Sequence, residues 1–230
     1  MANQEHLDRL KAGVESWNNW KLNNSTVRID LSGANLHHAE LSGADLSGVN
    51  LGGANLSDAN LQGANLSKAV LGWSSVRLGK ANLSRANLHK ADLTATDLFK
   101  AVLAEADLHE ANLHEANLNG ADLHDANLQG ANLNAIILSA ANLTNVNLHE
   151  ADLRGANLGE AKLSQAKLTG ANLHRANMIN SDLSGANLSG ADLSGADLRR
   201  TNLSAANLTG ANLTGTDLAT ANLSGVVGYR

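Results

Sequence analysis

The 230-residue sequence predicts an all-β solenoid, a coil of very short parallel strands stacked on one another. Three observations predict it. Aromatic residues make up only 2% of the chain, against 43% hydrophobic residues overall, so Leu and Ala must fill the interior. A five-residue pattern, Ala, then Asn or Asp, then Leu, then two variable positions, recurs from Ile29 onward. The apolar members of that pattern are two residues apart, and side chains two apart on an extended chain share one face.

We denote the Leu position i. It runs from Leu31 to Leu71 in nine units and from Leu78 to Leu223 in thirty, with two extra residues within Gly72–Arg77. Val76 is an alternative to Leu78 as the first i residue after the insertion. Of these 39 positions, 38 are Leu and one is Met178. The expected core therefore includes Leu31, Leu83, Leu128, Leu158, Met178 and Leu193. Position i−2 is nearly always Ala, with small or β-branched exceptions such as Ile29, Thr96, Ser181 and Thr201. Position i−1 is Asn in 21 units and Asp in 11, and it faces outward between the two apolar residues.

Gly occupies i+2 in 15 units, which suits a tight turn with positive φ there. A helix is excluded, because a period of five sets successive Leu side chains about 140° apart around a helix axis. One short strand per five residues, always turning Leu and Ala to the same interior, requires a coil that closes on itself. No unit is stable alone; each buries its edges on the coils above and below.

The motif as it stands in Ala54-Asn55-Leu56-Ser57-Asp58 and Ala186-Asn187-Leu188-Ser189-Gly190 resembles the pentapeptide-repeat family, and residues 1–28 resemble the N-terminal leaders of some of its cyanobacterial members. The resemblance implies a right-handed quadrilateral parallel β-helix with four units per coil. Thirty-nine units then make about 9.75 coils, and stacked strands give a rod about 45 Å long.

Residues 1–28 lie outside the repeat. Leu7, Leu10, Val14 and Trp17 fall at helical spacing, with Trp20 a turn further on, which predicts one short amphipathic helix. Laid over the first coil, it would cover an open strand edge that otherwise templates aggregation. The repeat itself occupies 29–225, and 226–230 form a tail. Val226, Val227 and Tyr229 are expected to fold across the last coil; the alternative is an open end that pairs with another chain.

No stretch approaches the ~20 apolar residues that span a bilayer, and a cytoplasmic location is expected. There is no Cys for a thiolate ligand or nucleophile. The net charge of −5 argues against direct nucleic-acid binding, which needs Lys and Arg against phosphate. His89, His109 and His149 share one column, but side chains radiating from a rod do not converge, so no metal, cofactor or catalytic site is expected. Lys90 with Glu110, and Arg85 with Glu105 and then Asp125, are expected cross-coil ion pairs.

A few apolar residues fall where the pattern is polar: Trp73 in the insertion, and Phe99, Ile137 and Ile179 on one outer face. These are the candidate partner surface. The expected function is a non-enzymatic scaffold that presents a rod-like polar surface to a protein partner, with a monomer favoured over dimerisation through the C-terminal end. The alternative, carried by the family resemblance, is a DNA-mimicking rod that modulates DNA gyrase. Against it, residues 29–225 carry 13 Asp and 6 Glu opposite 6 Lys and 6 Arg, a net of only −7. Those relatives also favour Phe at i, which this chain lacks.

Overall fold

A computed structural model describes residues 1–72 and 76–229. From Asp30 onward each residue at i−1 bridges in parallel to the i−1 residue one coil later. The spacing is 20 residues, as in Asp30 with Asn50, and becomes 22 only where a coil contains the insertion, as in Asn55 with Arg77. Four such ladders, starting at Asp30, Asn35, Glu40 and Asp45, form the four faces of a right-handed quadrilateral β-helix. The register assigns Arg77 to i−1, so Leu78 is the i residue and Val76 sits at i−2.

The backbone hydrogen bonds follow from this stacking. Each Leu N–H donates to the i−1 carbonyl of the next coil, as in Leu128 to Asn147 at 2.7 Å. Each i−1 N–H donates to the i−2 carbonyl of the preceding coil, as in Asn127 to Ala106 at 2.9 Å. The chain turns each corner with a bond from the next Ala N–H back to the Leu carbonyl, 3.1 Å for Ala131 and Leu128. Leu and Ala columns are thereby aimed inward. Leu31, Leu83, Leu158, Met178 and Leu193 are inaccessible to solvent and Leu128 is 1% exposed. Where i−2 carries a hydroxyl, it is satisfied locally: Ser181 Oγ and Thr201 Oγ1 both donate to the Met178 carbonyl, at 2.7 and 2.8 Å.

The amphipathic stripe of residues 1–28 is carried by two helices, not the single one its spacing predicts: α1, Gln4–Lys11, and α2, Val14–Asn23. Gly13 is the cause. Its φ of 124° and ψ of 151° lie outside the helical region and in one that residues with a Cβ seldom enter. Asn3 caps α1 by accepting from the His6 N–H, and Glu5 pairs with Arg9 one turn on at 2.7 Å. Leu7, Leu10 and Trp17 are buried against the first coil, and Val14 and Trp20 are partly buried there.

The two helices also supply hydrogen bonds that a preceding coil would otherwise make. Asn3 N–H donates to the Asp30 carbonyl, and the Asp30 N–H donates to His6 Nδ1 at 3.2 Å. Trp17 Nε1 donates to the Asp45 carbonyl at 2.8 Å, and the Asp45 N–H donates to Asn18 Oδ1 at 2.8 Å. Lys21 Nζ reaches the Ser47 carbonyl and the Asp45 carboxylate, at 2.7 and 2.9 Å. Two of the four edges of the first coil are closed in this way.

The other end differs from the expected cover. Val226 and Val227 continue the coil: Val227 bridges to Asn207 and exchanges backbone bonds with Ala206 and Leu208. Their spacing from Leu223 fits the repeat, so pairing along the ladder replaces folding across the end. Val227 and Tyr229 remain 59% and 45% exposed. Leu213, Leu218 and Leu223 line an open concavity of about 600 Å³ with Gly228 and Tyr229 at its rim.

Candidate interaction surface

With the interior filled by Leu and Ala, the side chains available for recognition are those of the i−1 ladders and of the corner residues i+1 and i+2. At i−1 the side chain is partly committed to structure. Its Oδ1 accepts the N–H of residue i+1, two positions on, as in Gln129 to Asn127 at 3.3 Å. An Asn also donates its Nδ2 to the Oδ1 of the preceding coil. Asn127 donates to Asp107 at 3.0 Å and accepts from Asn147 at 2.9 Å.

This chain of amides has a direction. An Asn can both donate and accept, whereas an ionised Asp only accepts. Asp can therefore start a run but cannot continue one without setting two oxygens against each other. Six of the eleven Asp at i−1 stand where no amide or carboxylate precedes them: Asp30 and Asp45 in the first coil, Asp92 after Val70, Asp97 after Arg77, Asp122 after Val102 and Asp182 after Lys162. Of the remaining five, three hold a basic side chain two residues on: His109 on Asp107, Arg154 on Asp152 and Arg199 on Asp197.

Arg154 and Arg199 grip their carboxylates at 2.6 Å and hold both below the usual carboxylate range. Burial alone would raise Asp122, but hydrogen bonds from the His124 ring and backbone outweigh it and lower this carboxyl. The same ring contact, at 2.9 Å, raises the His124 imidazole.

At the corners, residue i+2 has positive φ in 37 of 39 units, 15 of them Gly and 22 not. Trp73, also at i+2, lies outside the described residues. Thr220 is the exception, and a branched Cβ disfavours that conformation. Its hydroxyl oxygen instead accepts the Arg200 N–H at 2.8 Å. Corner side chains project outward and lean on the next coil. Arg85 forks onto Glu105 through two bonds of 3.0 Å, and Lys90 reaches Glu110 at 3.2 Å. These pairs are exposed and add little to stability, so their main effect is on register and solubility.

The apolar candidates lie on one face. Phe99 and Ile179 follow Asp97 and Asn177, and Ile137 itself bridges Asn117 and Asn157, all on the ladder that begins at Asn35. They do not form a continuous patch: Phe99 and Ile179 are four coils apart, about 19 Å at the spacing of stacked strands. Phe99 and Ile137 are 37% and 40% exposed. Lys100 Nζ lies 5.1 Å from the centre of the Phe99 ring. Lys80 occupies the corner above Lys100, and Arg77 projects from the same face. Among the described residues none of these three cations has an acidic partner within 4 Å.

His89 and His109 do meet, with ring centres 3.6 Å apart and planes 19° from parallel. Their Nδ1 atoms are engaged by the His109 carbonyl and the Asp107 carboxylate, and His149 lies two coils beyond His109. A second cluster went unnoticed in the sequence: His37, His38 and Asp58 at the corner that follows the Asn35 ladder. Its signal was the adjacent His pair with a carboxylate 20 residues after His38, which the register stacks on the same corner.

A filled parallel β-helix with short helices over its first coil defines a solenoid whose working surface is its outside. The family profile described as Pentapeptide repeats matches in eight copies, over residues 26–53, 74–103, 88–125, 121–159, 156–195 and 186–225. The chain belongs to the pentapeptide-repeat family. Among solved structures it is similar to HetL, a pentapeptide repeat protein involved in heterocyst differentiation regulation from the cyanobacterium Nostoc sp. strain PCC 7120. That match is 42% identical over 87% of this chain and 88% of the other, with a TM-score of 0.47.

A pentapeptide repeat protein of the Arabidopsis thaliana thylakoid lumen is 35% identical over 40% of this chain and 68% of its own, with a TM-score of 0.38. QnrB1, a plasmid-mediated fluoroquinolone resistance protein, is 19% identical over 87% and 89%, with a TM-score of 0.44. No curated protein sequence matches the chain. No helix among the described residues is long and apolar enough to cross a membrane.

Proposed function

We propose that this protein is a non-enzymatic scaffold whose outer faces dock a protein partner. The observation that carries the reading is the filled interior. Leu and Ala close the coil from Ile29 to Leu208, so the chemistry open to a partner is that of the ladders and corners. In this reading residues 1–28 cap the rod through Leu7, Leu10, Val14, Trp17 and Trp20, and 29–225 present its surface. The contact face is the Asn35 ladder with Phe99, Ile137 and Ile179, next to the unpaired cations Arg77, Lys80 and Lys100. Trp73, in the insertion, is a further candidate contact and lies outside the described residues.

An affinity capture from the native cell tests this when run beside the Phe99→Ser/Ile137→Asn/Ile179→Ser variant. A partner retained by the parent and lost by a folded variant is the expected result; an unchanged set of partners refutes this face. The chain acts as a monomer in this reading, and sedimentation that reports a stable dimer would move the contact to the C-terminal end. Modulation of DNA gyrase by DNA mimicry ranks second. The net charge of −7 over residues 29–225 is modest, and the cations beside Phe99 interrupt any continuous negative surface. A supercoiling assay with purified gyrase is expected to show no effect, and inhibition would reverse the ranking.

A further inference from the structure

We propose that His37, His38 and Asp58 form a surface site for a divalent transition-metal ion of the zinc type. One donor atom from each residue lies within 4.8 Å of the others. His37 and His38 are consecutive corner residues of the first coil, and Asp58 is the corner residue stacked beneath His38 in the second. His37 Nδ1 is 3.8 Å from Asp58 Oδ2, and the two imidazole centres are 3.8 Å apart.

The tautomer of His37 suits a ligand. Its Nδ1 lies 2.7 Å from the Ser57 carbonyl oxygen, which can only accept, so Nδ1 carries the proton and Nε2 keeps its lone pair. A ring nitrogen that donates to a backbone carbonyl while the other binds metal is the usual outer support of a metal-bound His. His37 faces Asp58 through Nδ1, so ligation requires the exposed ring to turn Nε2 toward the other two donors, and all three to draw together to about 3.3 Å around one tetrahedral ion.

Two imidazoles and one carboxylate favour Zn²⁺, Ni²⁺ or Cu²⁺ over Mg²⁺ or Ca²⁺, which take oxygen ligands. Three protein ligands leave a further position to water. The placement is also selective within the chain. Of the first seven i+2 corners, five are Gly, and the two that are not are His38 and Asp58. The stacked His89 and His109 rings have the Asp107 carboxylate against His109 Nδ1, but among the described residues only His37, His38 and Asp58 bring three donors within 4.8 Å of one another. The cost to binding is Lys80, the next corner residue after Asp58, whose charge opposes a cation.

An ion held here would tie a corner of the first coil to the second. It would add a cross-link to the end of the rod that the helices close on two edges only. Binding to the folded chain alone raises its stability by mass action.

The test is calorimetric titration of the tag-free full chain with Zn²⁺ alone, repeated on His38→Ala, Asp58→Asn and His89→Ala, with a melting curve of each. The expected result is one Zn²⁺ per parent chain, a rise in Tm on binding, and affinity reduced at least about tenfold in His38→Ala and Asp58→Asn. His89→Ala should bind like the parent. His38 and Asp58 are exposed and His89 is partly buried on the outer surface, so the variants should fold, and the metal-free melts establish it. Absence of saturable binding, or parental affinity in either His38→Ala or Asp58→Asn, overturns the site.

Discussion

At the scale of single residues, the difference between Asn and Asp at i−1 is a difference in hydrogen-bond polarity. Asn127 passes its Nδ2 hydrogen to Asp107 and offers its oxygen to Asn147. Changing Asn127→Asp sets a second carboxylate about 3 Å from the first, with no donor between them. Loss of the bond and like-charge repulsion should destabilise the protein by about 1–3 kcal/mol at neutral pH. Urea denaturation would measure it, and the loss should shrink in acid as one carboxyl takes up a proton.

A second residue-scale prediction concerns Asp122 and His124. The carboxyl is lowered from 3.8 and the imidazole raised from 6.5, each by the other among its causes. The Asp contribution is present above 3.8 and fades as pH falls through the lowered folded value. The His contribution is present below 6.5 and fades as pH rises through the raised folded value. His124→Gln should therefore cost stability most between those two values and least in mild alkali. Equal denaturation midpoints of parent and variant at pH 5 and pH 8 would contradict this.

At the scale of the element, the repeating unit is a single bridge residue flanked by two inward side chains and one turn. The turn sets a conformational demand that 22 non-Gly residues meet at a cost. Where the side chain forms an ion pair, as at Arg85 or Lys90, there is some return. Ala135 has none: its φ is 55° and its methyl group is exposed. Ala135→Gly relieves the left-handed strain, about 1–2 kcal/mol, but adds about 0.4–1 kcal/mol of unfolded-chain entropy. The net expectation is a gain of about 0.5–1 kcal/mol, read as a higher midpoint in thermal or chemical unfolding. An unchanged or lower midpoint would show that the turn does not strain an alanine.

The N-terminal helices teach a different lesson about elements. The stripe Leu7, Leu10, Val14, Trp17 was legible because burial of one face imposes helical spacing. The break at Gly13 was less so: periodicity records which face is buried and not whether the backbone is continuous. The roles of Asn18 and Lys21 were not legible at all, since their partners at Gly43, Asp45 and Ser47 are 24 to 27 residues away on the edge of the first coil.

At the scale of the whole molecule, stability comes from repetition. The accessible surface of 10,004 Å² is close to the ~9,900 Å² expected of a compact monomer of this mass, so the rod exposes little more surface than a compact fold. Each coil shields its neighbours, and a charge in the middle cannot reach water from either end. Leu128→Lys, at a site 1% exposed, should abolish folding. A soluble variant that still melts cooperatively would contradict the inward placement of the Leu column.

The sequence by itself determined the coil. Period five, Leu at i, Ala at i−2 and a polar residue between them require a coil that buries every apolar side chain; four units per coil, and with it the 20-residue register, was implied by the family resemblance and is seen in the bridges. Tertiary structure alone decided what happens where the period stops or is enlarged. It placed Leu78 rather than Val76 on the Leu column, continued the ladder through Val227 without covering the last Leu residues, and split the N-terminal stripe into two helices. It also brought His37 and His38 to Asp58. The reason is physical. Local pattern fixes which side of the backbone a residue faces, whereas contacts at the ends and corners depend on which atoms of distant coils come within hydrogen-bond or ligand distance.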